Sequence, residues 1–225
     1  MNGEGFIYSN GIINFNGITL QNFPIVAPIG ESVPGTASYA TSDDFSNSAD
    51  IANWQLDNFG GSSNSYVYNT WLQMTIANAN YRGITKAAGA GNWDIRVKFV
   101  GQRDFSENTD CGILAYSNAG TGFCYSWGDT AAGYSVVALK QLSTFNYNGD
   151  YAAVGVHAGF VTCYLRMVYD QAANRCACYF APDGNNWSRH VFNITPPAGI
   201  TRIGVGGRGS GAVPITMFVD WVRFF

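Results

Sequence analysis

The run Thr162-Cys163-Tyr164-Leu165-Arg166-Met167-Val168-Tyr169 is followed by Arg175-Cys176-Ala177-Cys178-Tyr179-Phe180-Ala181 and Trp187-Ser188-Arg189-His190-Val191-Phe192-Asn193. Each piece is rich in β-branched and aromatic residues and is bounded by polar turn residues, the pattern of a strand. Asp183-Gly184 lies between the last two, and both residues tolerate the positive φ of a hairpin turn. Thr162–Asn193 therefore reads as a meander of three antiparallel strands.

Similar runs recur on either side: Tyr66–Ala77, Trp93–Gly101, Gly112–Ser117, Gly122–Trp127, Tyr134–Gln141, Arg202–Gly206 and Ile215–Phe225. No segment repeats with helical period. So many strands without intervening helices predict an all-β, antiparallel two-sheet sandwich. The whole has 225 residues, of which 12% are charged and 15% aromatic, with 27 glycines. Disorder is excluded, because disordered chains are poor in aromatics and rich in charge. Twelve Lys and Arg against 15 Asp and Glu leave −3, too little positive charge for a phosphate footprint, so no nucleic-acid partner is expected. No apolar run approaches the ~20 residues of a membrane span, and no secretion signal is visible at the start.

The first stretch differs. Met1–Tyr39 carries no charge except Glu4 and Glu31, and holds Pro24, Pro28 and Pro34 among many Gly and Asn. Phe6-Ile7-Tyr8, Ile12-Ile13 and Phe23-Pro24-Ile25-Val26 are too short to bury themselves, and so apolar an arm must lie on something. It either covers an edge of its own sandwich or reaches onto neighbouring copies or a larger assembly. We place the boundary in Thr36–Ser42, giving an extended N-terminal arm over 1–42 and a sandwich over 43–225.

The five cysteines at 111, 124, 163, 176 and 178 are odd in number and lack zinc spacing or a Cys-x-x-Cys pair. They read as small buried residues.

Several motifs resemble the concanavalin A-like lectin/glucanase superfamily, above all its laminin-G-like jelly rolls. Asp43-Asp44-Phe45-Ser46 followed by Asn53-Trp54-Gln55 looks like its opening; Tyr164–Asp170 with Cys178–Trp187 looks like its strand–hairpin pair; Phe218–Phe224, with Asp220 inset, is similar to its closing strand. The resemblance implies a concanavalin A-like jelly roll from about residue 43 onward. It also implies a calcium ion near the opening and closing strands, for which Asp44 and Asp220 are the positions carried over. Asp220 shares parity with Val222 and Phe224 and is expected to point inward, where a carboxylate needs hydrogen bonds or a metal. Calcium wants six to eight oxygens, and no Asp-rich loop supplies them, so a structural calcium is a secondary expectation beside no cofactor at all.

The glucanase branch works with a Glu-x-Asp-x-x-Glu strand, and retaining glycosidases need two carboxyls ~5–5.5 Å apart. Only three glutamates occur, Glu4, Glu31 and Glu107, and none is on a predicted strand. His157 and His190 have no nucleophile partner in the sequence, and His190 reads as a hydrogen-bonded sheet residue. Gly204–Gly211 lacks the Lys-Ser/Thr ending of a phosphate loop and reads as the turn between the last two strands. No enzyme is expected.

Sugars are bound by flat aromatic faces plus a few polar groups. Phe123, Tyr125 and Trp127 share one face of a strand, and Trp127 at its end, before Asp129, is the one expected to reach solvent. Phe145-Asn146-Tyr147-Asn148-Gly149-Asp150-Tyr151 has the composition of a binding loop. The candidate carbohydrate-binding residues are Trp127, Asp129, Tyr147, Asn148 and Tyr151. The low-charge, amide-rich surface and the apolar arm lead to the expectation of a phage virion subunit, on the capsid surface or tail. Its partners would be other virion proteins, copies of itself and host-surface glycans. The alternatives are a purely structural cement subunit and an extracellular accessory carbohydrate-binding module.

Overall fold

The computed structural model describes residues 7–9, 12–15, 18–20, 43–58, 64–68, 71–77, 79–103, 109–129, 135–155, 162–197, 199–210 and 214–225. The chain divides into two compact units, Met1–Val33 and Pro34–Phe225. In the first, β1 (Ile7–Ser9), β2 (Ile12–Phe15) and β3 (Ile18–Leu20) form a small antiparallel sheet. The other features expected of the arm lie outside the described residues.

The second unit is a sandwich of two seven-stranded antiparallel sheets, as expected. One sheet runs β12 (Asn146–Gly155), β11 (Ser135–Ser143), β10 (Gly122–Asp129), β9 (Asp110–Tyr116), β16 (Arg202–Arg208), β7 (Arg82–Ala87), β4 (Gln55–Asp57). The other runs β15 (Ser188–Ile194), β14 (Arg175–Ala181), β13 (Cys163–Asp170), β8 (Trp93–Arg103), β17 (Ile215–Phe224), β6 (Trp71–Ile76), β5 (Asn64–Tyr68). They are called below the β9 sheet and the β8 sheet. Among the described residues no helix is long and apolar enough to cross a membrane.

Alternation fills the space between the layers. Phe123, Tyr125 and Trp127 of β10 meet Ile95, Val97 and Phe99 of β8, Leu165 and Met167 of β13, and Met217 and Val219 of β17 in one core. All five cysteines are buried and free. Burial pushes the Cys163 and Cys176 thiols up to about 12, so their nucleophilic thiolates are suppressed.

Three readings of the sequence are corrected here. The run expected as one strand over Tyr66–Ala77 is a tight hairpin of β5 and β6, with Tyr68 opposite Trp71. Gly204, Gly206 and Gly207 are not a turn but lie within β16, where a Cβ would fall onto the carbonyls of Ile84, Arg82 and Asp110 respectively. Glycine is needed there because neighbouring backbones come too close for a side chain. The third concerns Asp220. The register passes over Val100 of β8 just before Val219 and over Asp220 of β17 just after it, so Val219 and Val222 both face the core. Asp220 is thereby turned out of the interior, where it bonds Lys98 at 2.6 Å.

Candidate functional site

The motif that opens the sandwich is a structural corner. Asp43 pairs with Val222 through two backbone hydrogen bonds of 2.8 Å. Its carboxylate accepts from the Trp54 indole Nε1 at 2.8 Å and from the Phe45 N–H at 2.9 Å. Trp54 packs on Phe45 and Phe224, and the Lys86 ammonium stands 4.4 Å over its ring. The buried role expected of this motif thus falls to Asp43, while Asp44 is exposed and accepts from the Ser46 N–H at 3.2 Å.

One ligand oxygen from each of Asp43, Asp44 and Asp50 lies within 4.8 Å of the others. Hard oxygen donors with three negative charges suit a divalent cation in charge and donor type. Lys86 supplies one positive charge beside them: burial lowers its pKa, while Asp43 and Asp50 raise it. The group could hold a metal with water completing its shell. Asp220 is not among its members.

The outer surface of the β9 sheet carries a second, polar layer. Asp110 on β9 lies directly opposite Arg208 on β16, and the Arg208 Nε donates to it at 2.7 Å. Lys140 of β11 donates to the other carboxylate oxygen, and the Tyr81 hydroxyl donates at 3.0 Å. Asp110 is 1% exposed, so its charge is stable there only because two cations and a hydroxyl surround it. Burial, then Asp110, pushes the Tyr81 hydroxyl pKa well up, which keeps it a donor. The same face repeats this arrangement at Asp57, which accepts from Thr85, from the Tyr116 hydroxyl at 2.8 Å and from Gln55 at 2.7 Å, with Arg202 at 3.7 Å.

Tyr147 joins the first cluster to solvent. Its ring lies 4.3 Å from the Arg208 guanidinium and 5.6 Å from the Lys140 ammonium, yet it is 40% exposed. Arg208 also stands 5.5 Å from the Tyr81 ring, so two tyrosines flank it. Desolvation, then Asp150, raises the Tyr147 pKa and keeps the phenol neutral.

The structure separates the five expected carbohydrate-binding residues. Tyr147 stands on β12 beside Arg208 and Lys140, and Asn148, the next residue of that strand, is exposed. They are not in a loop: the turn is Thr144-Phe145, with φ of 51° and 64°, the paired positive values of a tight hairpin. Tyr151 is half exposed and meets Phe123 edge-on at 6.3 Å, toward the core rather than the outer layer. Trp127 does not reach solvent. It is 1% exposed, because β10 runs two residues beyond it and keeps it among the inward-facing side chains. Asp129 ends β10 opposite Ser135, and its side chain lies outside the described residues, as do His157 and Glu107. His190 is half-buried between Tyr125 and Phe180, and its Nδ1 has no hydrogen-bond partner among the described residues, unlike the bonded histidine expected.

Sequence reasoning missed Asp110, Arg208, Tyr81 and Lys140. The signal was present in Arg202-Ile203-Gly204-Val205-Gly206-Gly207-Arg208, where Arg202, Gly204, Gly206 and Arg208 share one parity and Ile203 and Val205 the other.

No family model matches the sequence, and no curated protein matches it. Among solved structures, the GH43 protein BlXynB from Bacillus licheniformis is similar with a TM-score of 0.65 and 14% identity, over 84% of this chain and 40% of that one. A bifunctional GH43-CE protein from Bacteroides eggerthii gives 0.65 at 12% identity, over 98% and 30%. The legume lectin-like domain from Entamoeba histolytica gives 0.58 at 10%, over 84% and 99%. This chain thus spans well under half of the two GH43 chains but nearly all of the lectin-like domain. These likenesses show the fold: the described part of the second unit shares the two-sheet β-sandwich of the GH43 proteins and the lectin-like domain.

Proposed function

We propose that this chain is a carbohydrate-binding β-sandwich that does no catalysis itself. The observation that supports it most is Tyr147, an exposed ring lying on Arg208 and near Lys140. A flat aromatic face beside a few fixed polar groups is what a sugar ring needs. Binding is favoured over hydrolysis because Asp57 and Asp110 are tied into ion pairs and hydroxyl contacts rather than facing each other across an open cleft. A glycan array should find a ligand for the full chain, and Tyr147→Ala should weaken it about tenfold or more while leaving the melting curve in place. No ligand among the uncharged glycans, or only uncharged ones indifferent to Tyr147→Ala, would overturn this reading.

Two settings fit the binding role. The low-charge, amide-rich surface and the apolar arm support a virion subunit that assembles with its own copies. The likeness to parts of GH43 chains supports an accessory module of a polysaccharide-degrading system. The mass of the purified protein in solution separates them: a trimer or larger ring favours the first, a monomer the second.

The finer reading of the acidic corner is a structural calcium on Asp43, Asp44 and Asp50. Calcium at about 100 times its Kd would add ~2.7 kcal/mol to stability, at ~2–4 °C per kcal/mol for a domain of this size. Melting curves that coincide in calcium and in chelator would dismiss it.

A further inference from the structure

The outer face of the β8 sheet carries a row that the carbohydrate reading does not use. In the strand registers, Arg189 of β15 lies opposite Tyr179 of β14, Tyr179 opposite Arg166 of β13, Arg166 opposite Arg96 of β8, and Arg96 opposite Arg223 of β17. Four arginines and one tyrosine thus form a line across five strands, about 19 Å long at ~4.8 Å per inter-strand step. Like charges directly opposite one another on a sheet repel and cost stability. Here the whole chain is acidic, at −3, yet the row carries four positive charges.

Each guanidinium rests on an aromatic ring. Arg189 stands 4.7 Å from Phe192, Arg166 5.0 Å from Tyr179, Arg96 4.2 Å from Phe225 and Arg223 4.6 Å from Trp221. Stacking on a ring immobilises the planar fork, so less entropy is lost when its N–H groups bind. One carboxylate serves the row. Asp94, fully buried, takes the Arg166 Nε and Nη2 at 2.9–3.1 Å and the Arg96 Nη2 at 2.9 Å. The two ends, Arg189 and Arg223, are exposed and form no ion pair among the described residues. In the next row Tyr164, Lys98 and Trp221 lie opposite one another in turn, adding two rings beside the cations.

We infer that this row is a docking track for a linear polysaccharide bearing carboxylates, a polyuronate. Charge supports it: Asp94 balances the buried Arg166, which leaves the partly exposed Arg96 and the exposed Arg189 and Arg223 in excess along the line. The kind of charge is indicated by Asp94, which already shows the row gripping a carboxylate by two nitrogens of one guanidinium. The rings among the cations, Tyr164 and Trp221 above all, offer faces to the sugars between the carboxylates. The inference does not depend on Tyr147, which lies on the other sheet.

The test is affinity electrophoresis of the full chain through gels containing polygalacturonate, a neutral xylan, or single-stranded polynucleotide. Wild type should be retarded by polygalacturonate at low ionic strength and much less at ~0.5 M salt. Arg189→Ser with Arg223→Ser should weaken that retardation about tenfold or more with an unchanged melting curve, since both side chains are exposed, and Tyr147→Ala should leave it intact. No retardation by polygalacturonate, retardation insensitive to the double variant, or equal retardation by the polynucleotide would each overturn the assignment. Loss of binding on Tyr147→Ala alone would move the polyuronate site to the β9 sheet and overturn it as well.

Discussion

Replacing Asp110 by alanine should destabilise the sandwich by about 3–5 kcal/mol, because it leaves the buried Arg208 and the half-buried Lys140 without their counter-charge. The Tyr81 hydroxyl, 0% exposed as a residue, would lose its acceptor at the same time. Asp110→Asn retains an acceptor for Tyr81 but not the charge, and should fall between wild type and alanine. Urea denaturation with matched m-values measures both changes. A loss below ~1 kcal/mol for the alanine variant would show that water already reaches the cations, which is the ordinary result for surface pairs. The same variant should release Tyr147 from the geometry that holds it, since Arg208 is the link between carboxylate and ring. Any glycan affinity that depends on Tyr147 should therefore fall even under conditions where the variant remains folded.

Trp127→Ala should cost a similar ~3–5 kcal/mol, as large-to-small changes in a packed core do. Its surroundings are Cys111, Val137 and the other inward side chains of the β9 sheet, with no solvent to fill the void. Loss of binding in this variant would reflect lost structure rather than a lost contact. The two explanations separate by thermal melting: Trp127→Ala should lower Tm strongly, whereas Tyr147→Ala should not. A Trp127→Ala protein with wild-type Tm would contradict its burial.

The fold was legible where one face of a strand is buried and the other is wet. β14 comes nearest to this, with Cys176, Cys178 and Phe180 toward the core, and the strands of the β13–β15 meander lie within a residue or two of the expected ones. β7 escaped notice because Arg82, Gly83, Ile84, Thr85 and Lys86 are all buried, so charged and apolar residues alike face protein and no alternation survives. β12 escaped because Asn146-Tyr147-Asn148-Gly149-Asp150 has the composition of a turn. It sits at the end of its sheet, paired only with β11, where polar residues can face water. At the candidate site, Tyr147 was legible from composition alone. Asp110 and Arg208 were not, because they are 98 residues apart and meet only through the register of β9 against β16. Asp220 shows the limit of parity: a single bulge reversed its direction.

The position of β17 has a consequence for how this protein is made. Ile215–Phe224 lies in the middle of the β8 sheet, hydrogen-bonded to β8 on one side and to β6 on the other, with Asp43 held against Val222. Until β17 has been made, the β8 sheet exists as two half-sheets with open inner edges and nothing to join them. Closing it requires contacts between residues more than 100 positions apart, which is slow and leaves sticky edges exposed in the interval. Folding of the sandwich therefore waits on the synthesis of β17, and overexpression yield should depend more on chaperone supply and growth temperature than on the final stability of the product.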